Sequence, residues 1–146
     1  MTAPRPVVEV AAIIRAPREL VFDAWLTPAR LGAFLCAGDS HVAALEIDPR
    51  VGGEFRVVMS SERGSFEHRG RFLEIDRPRR LRFTWASEAT HGLDTTVSIT
   101  FEPIEGGTRV ALVHEGLSDS ETAARHQGGW ASILTKCAGA VELRPA

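Results

Sequence analysis

The stretch Thr95–Glu121, TTVSITFEPIEGGTRVALVHEGLSDSE, changes its period once and decides the architecture. Val97, Ile99 and Phe101 alternate with Thr96, Ser98 and Thr100, the two-residue period of a half-buried strand. Gly106-Gly107 turns the chain, and Val110, Leu112 and His114 resume the alternation. A connection this short makes the two strands antiparallel neighbours. Past Glu115 the signal becomes helical. Ser118 reads as an N-cap with Glu121 three residues on, a capping box. Trp130, Ile133, Leu134 and Cys137 then recur at helix spacing, so one long helix is predicted to about Leu143.

Upstream, the same two-residue period reaches back to about His41, punctuated by turn residues at Asp48-Pro49, Gly52-Gly53, Arg63-Gly64, Asp76–Pro78 and His91-Gly92. The predicted strands are roughly 7–14, 42–47, 53–60, 65–75, 80–86, 94–103 and 108–115. Between the first two, APRELVFDAWLTPARLGAFL reads as two short helices, with Pro17 opening one and Thr27-Pro28 restarting the other. The fold class is therefore α+β in a single domain, residues 1–146. An open seven-stranded antiparallel sheet has one face to bury, and a single long helix is available to cover it.

Alternation assigns that inner face. It carries Phe55, Val57 and Met59 on the third strand, then Phe66, His68, Gly70 and Phe72 on the fourth. Leu81, Phe83 and Trp85 follow on the fifth. Two histidines, His68 and His114, stand on this apolar face, and buried polar groups need partners or water. An empty cavity costs about 24 cal/mol per Å³, so a ligand-sized void of roughly 300 Å³ approaches 7 kcal/mol. A space between sheet and helix is accordingly small, wetted or occupied. The pair Gly128-Gly129 sits inside the long helix, where each glycine costs about 1 kcal/mol relative to alanine. Close approach of another element to the helix backbone, or a local bend, would explain it.

Composition narrows the function classes. The 146 residues carry a net charge of -2, with 44% hydrophobic and 25% charged residues, so no global field recruits nucleic acid. No apolar run suffices for membrane insertion, and the opening MTAPRPVVEV has no signal-peptide core. Cys36 and Cys137 form no Cys-x-x-Cys motif, and a cytoplasmic protein is expected. Sixteen arginines against one lysine suggest the codon bias of a GC-rich bacterium. The five histidines lack metal-ligand spacing, so neither metal nor cofactor is expected. Arg69, Arg71, Arg77, Arg79, Arg80 and Arg82 cluster, but interleaved Glu67, Glu74 and Asp76 make them a solvated outer face.

The pieces IIRAPRELVFDAWLTPARLGAFL, DPRVGGEFRV, GRFLEIDRPRRLRFTW, TTVSITFEPIEGGTRVALVHEGL and GGWASILTKCAG occur in an order that spans nearly the whole chain. In this the sequence resembles the SRPBCC (START-like, helix-grip) superfamily, in the branch named after the activator of the heat-shock chaperone ATPase. The resemblance implies a curved sheet gripping the C-terminal helix, a deep cavity between them, and two small helices closing one end. Relatives bind lipids, sterols or polyketides, and a minority are enzymes. Where many branch members have a tryptophan pair late in the second short helix, this chain has Phe34-Leu35.

The expected function is a small-molecule binding protein for an apolar or aromatic, lipid- or polyketide-like ligand. Predicted lining comes from the small helices (Trp25, Phe34) and the middle strands (Phe55, Met59, Phe66, His68, Phe72, Trp85). Later strands add Val97, Ile99 and His114, and the long helix adds Trp130, Leu134 and Cys137. Aromatic walls supply contact area and the histidines fix a polar end. One alternative is a cyclase- or hydrolase-like enzyme acting on a carbonyl compound, with His68 and His114 as acid and base. Another is a protein-interaction or chaperone-associated domain with its cavity filled. A homodimer is compatible with the sequence, whose periodicity locates no interface.

Overall fold

Backbone hydrogen bonding in the computed structural model follows the two-residue period over seven strands; residues 5–142 are described. The strands are β1 (Val8–Ile14), β2 (His41–Ile47), β3 (Glu54–Ser61), β4 (Gly64–Asp76), β5 (Arg80–Ser87), β6 (Thr95–Ile104) and β7 (Gly107–Glu115). They form one antiparallel sheet in the order β1-β7-β6-β5-β4-β3-β2. Between β1 and β2 lie the short helices α1 (Arg18–Ala24) and α2 (Pro28–Leu31); the long helix α3 (Ser120–Val141) ends the described chain. The helix-grip α+β architecture is thus present. Register shifts between Val42 and Ala44 and between Phe72 and Glu74 put bulges in β2 and β4. Bulges bend a strand and increase its twist, which helps curl the sheet around its contents.

Several local expectations are corrected. The N-cap of α3 is Asp119, whose carboxylate accepts the Thr122 amide at 2.8 Å; Ser118 instead donates its hydroxyl to Asp119. A carboxylate suits this position because it also meets the positive end of the helix dipole. Helix α3 ends at Val141, and Leu143 lies outside the described residues. Helix α2 is a single turn, so Phe34 and Leu35 follow it in a turn, both buried. On α1, Phe22 is fully buried while Leu20 is only partly so.

The inner face is as the alternation requires for Val57, Leu81, Phe83, Val97, Ile99, Phe101, Val110 and Leu112, all buried. Helix α3 buries Trp130, Ile133, Leu134, Cys137 and Val141 against it. Gly70 has a packing reason: a Cβ there would come within 2.0 Å of the Thr84 carbonyl oxygen and 2.3 Å of the Phe55 ring. Phe55 pairs across β3–β4 with Gly70, so the aromatic ring fills the space the glycine leaves.

Candidate functional site

His114 is fully buried on β7, with both ring nitrogens engaged. Trp130 Nε1–H donates to His114 Nδ1 at 2.9 Å. An indole N–H can only donate, so Nδ1 is the unprotonated nitrogen and Nε2 carries the hydrogen. Nε2 lies 2.6 Å from Thr95 Oγ1, which in turn donates to the Trp85 carbonyl at 2.5 Å. The chain Trp130, His114, Thr95, Trp85 therefore joins α3, β7, β6 and β5, and it fixes one neutral tautomer. Burial, with the neighbouring His126 adding to it, lowers the His114 pKa to about 3.

Beside this relay a cavity of about 150 Å³ opens between α3 and the sheet. Its walls are Met59, His68 and Trp85 from the sheet, Arg125, His126, Gly129, Trp130 and Ile133 from α3, with Ala37 and Ala89 from loops. The Trp85 and Trp130 rings lie 4.9 Å apart, and His68 sits 5.0 Å from Trp85 at a shallow interplanar angle of 35°. The His68 Nδ1 atom is buried and makes no well-formed hydrogen bond among the described residues, although the backbone of Phe66 and of Val57 lies close enough to the ring to oppose the lowering of its pKa. His126 Nδ1 is 2.8 Å from the Thr122 carbonyl oxygen, and its ring stands edge-on to His114 at 5.0 Å. A carbonyl only accepts, so His126 Nδ1 carries a hydrogen and Nε2 of the neutral ring keeps its lone pair. Burial lowers the pKa of both His68 and His126.

A second apolar space lies deeper, among Trp25, Leu31, Leu35, Ile47, Phe55, Phe72, Leu81, Phe83 and Trp85. It measures only about 20 Å³, roughly the room one water molecule requires. The rings themselves fill it: Phe55 contacts Phe72, Phe83 and Trp85 at centroid distances of 5.4–6.0 Å. A broader groove of about 610 Å³ crosses the outer face of the sheet. Of its three arginines, Arg56 and Arg69 share Glu67 and Arg71 pairs with Glu54.

Of the predicted lining residues, Met59, His68, Trp85 and Trp130 meet at the 150 Å³ cavity. Trp25, Phe55 and Phe72, together with Trp85, surround the small inner space. Phe34, Val97, Ile99, His114, Leu134 and Cys137 are buried in packing and form neither wall. Phe66 is 40% exposed, because the first half of β4 is left largely uncovered. Burial pushes the Cys137 thiol up to about 12, which keeps it a packed, un-ionised group. His126 and Thr95 are functional neighbours that the sequence reading passed over. Both had a signal: His126 stands four residues before Trp130 on α3, and Thr95 alternates with Val97.

Five of the six clustered arginines are paired with carboxylates, while Arg82 has no ion pair among the described residues and its Nε is buried without a partner. Arg69 pairs with Glu67, Arg71 with Glu54, Arg77 with Asp23, Arg79 with Asp76 and Arg80 with Glu74. Among the described residues no group of three or more His, Cys, Asp or Glu side chains is arranged to hold a metal ion.

A curled seven-stranded sheet closed by one long helix, with a polar relay and a small cavity at their contact, defines a helix-grip protein of the SRPBCC superfamily. Within it, the family model for Activator of Hsp90 ATPase homolog 1-like protein matches residues 15–142, and the chain belongs to that family. Solved structures agree. A protein from Chromobacterium violaceum superposes with a TM-score of 0.85 at 28% identity, covering 94% of this chain and 98% of its own. The AHSA1 protein of Silicibacter pomeroyi gives 0.79 at 27% identity over 92% and 96%. The AHSA1-like protein of Aeromonas hydrophila gives 0.75 at 26% identity over 93% and 92%. Among curated proteins, none matches this sequence.

Proposed function

We propose that this chain is a binding protein for a small aromatic molecule, held where α3 meets the sheet between Trp85, Trp130, Met59 and His68. The observation that carries the reading is a cavity walled by two tryptophans on which His68 Nδ1 is buried without a well-formed hydrogen bond among the described residues. Buried polar atoms in folded proteins nearly always have a partner, and a ligand in that cavity would supply one. Hydrophobic-ligand binding is the general habit of the superfamily, which supports the same reading. About 150 Å³ suits one ring, since apolar space of that size accommodates benzene, whereas drug-sized ligands need roughly 300–1,000 Å³. A lipid- or polyketide-sized ligand would require α3 to move away from the sheet.

The enzyme alternative loses one of its two histidines, because a general base needs a free lone pair and both His114 nitrogens are engaged, which leaves that role to His68. The two free cysteines fit a reducing, cytoplasmic setting, and no described helix is long and apolar enough to cross a membrane.

An amide-resolved NMR titration tests the proposal. Single-ring aromatics should shift the resonances of Met59, Ala89, Gly129 and Trp130, with saturation at one equivalent site. Stoichiometric binding of a sixteen-carbon fatty acid at those residues, with no response to single rings, would contradict it.

A further inference from the structure

The geometry points to a definite ligand class: one aromatic ring bearing an O–H or N–H donor, and no negative charge. This deepens the binding reading above and rests on it. The polar side chains of the cavity are Trp85, Trp130, His68, His126 and Arg125. The Trp130 N–H, the one indole donor on the α3 wall, is already given to His114. His126 gives its Nδ1–H to the Thr122 carbonyl, which leaves Nε2 as an acceptor without a partner among the described residues. His68 Nδ1 makes no well-formed hydrogen bond among the described residues, and the backbone of Phe66 and of Val57 lies beside its ring. Arg125 stands at the rim, largely exposed, with Glu121 2.5 Å away.

The acceptor whose lone pair the geometry fixes is therefore His126 Nε2, on a ring whose burial favours the neutral form. A neutral ring nitrogen with its lone pair asks for a donor. A carboxylate would instead bring a second acceptor against that lone pair, and the rim guanidinium already has a carboxylate partner. A plain hydrocarbon would fit between Trp85 and Trp130 but would offer His126 Nε2 no hydrogen bond, which forgoes the stabilisation a donor would bring.

Phenol, toluene and benzoate separate these cases by calorimetric or NMR titration of the intact chain. Phenol should bind about tenfold more tightly than toluene, the worth of one hydrogen bond, and more tightly than benzoate. His126→Phe and His68→Phe, each checked for an unchanged folded spectrum, should together account for the difference: at least one should bring the phenol-to-toluene ratio close to one. The wild-type ranking decides the matter even if a variant fails to fold. Toluene binding as tightly as phenol, or benzoate binding most tightly, would overturn the donor assignment while leaving the cavity as a binding site. Failure of all three to bind would overturn the site itself.

Discussion

Trp130 holds two positions at once: its ring packs against Trp85, and its N–H satisfies His114 in the core. Replacing it with phenylalanine keeps most of the ring but orphans His114 Nδ1, a loss of about 1–3 kcal/mol. Urea denaturation should show that loss; an unchanged midpoint would mean that the indole N–H contributes nothing. His114 also makes stability depend on pH. Its pKa falls from 6.5 to about 3 on folding. Between those values the unfolded chain binds a proton that the fold refuses, so stability falls as pH falls from about 6.5 toward 3. At 1.36 kcal/mol per unit the full window is worth on the order of 5 kcal/mol, and His68 and His126 act in the same direction. Urea midpoints at pH 7 and pH 4 should differ accordingly, and equal midpoints would contradict the buried neutral tautomer. Alternation along β7 was enough to place His114 inward. Its partners were not legible together, because Thr95 and Trp130 reach it from different elements and only tertiary packing sets those distances.

On helix α3, Gly129, Ser132 and Lys136 form a stripe that docks the loop after α2. A Cβ on Gly129 would meet Ala37 Cβ at 3.4 Å. Ser132 Oγ accepts the Gly38 amide at 3.0 Å, and Lys136 Nζ donates to the carbonyls of Cys36 and Gly38 at 2.7 and 2.6 Å. The glycine pair thus divides: a Cβ on Gly129 would stand in ordinary van der Waals contact with Ala37, while one on Gly128 would meet nothing within 4 Å. Gly128→Ala should raise stability by about 0.5–1 kcal/mol through helix propensity alone. Gly129→Leu should displace the Ala37 loop and obstruct the cavity, lowering both melting temperature and ring binding. A Gly129→Leu protein with unchanged melting and binding would remove the docking role. Lys136→Met should cost about 2 kcal/mol in urea denaturation, the scale of charge-assisted hydrogen bonds. The pair's helical position was legible from the spacing of Trp130, Ile133, Leu134 and Cys137. Which glycine meets a neighbour depends on where a loop a hundred residues earlier lands, and no local pattern encodes that.

For the whole molecule, strand number, strand order along the chain and the inner face could all be read, because a period of two leaves little freedom once one face must be buried. Cavity volume could not. Facing inward and lining a space are different properties: Val97, Ile99 and Leu134 face inward and pack solidly, while the Phe55, Phe72 and Phe83 rings close the deep space that the resemblance implied. How far the sheet curls, and so what remains open, depends on bulges near Ala43 and Leu73 that alternation does not reveal. The opening left at the α3 contact is where the proposed ligand would fit. A crystal structure of the chain soaked with 4-bromophenol tests this most directly through the anomalous signal of bromine. The expected result is a single bromine peak in the cavity walled by Trp85 and Trp130, with the phenol oxygen within hydrogen-bond distance of His68 or His126. Bromine bound only on the outer face of the sheet, or absent at saturating concentration, would contradict it.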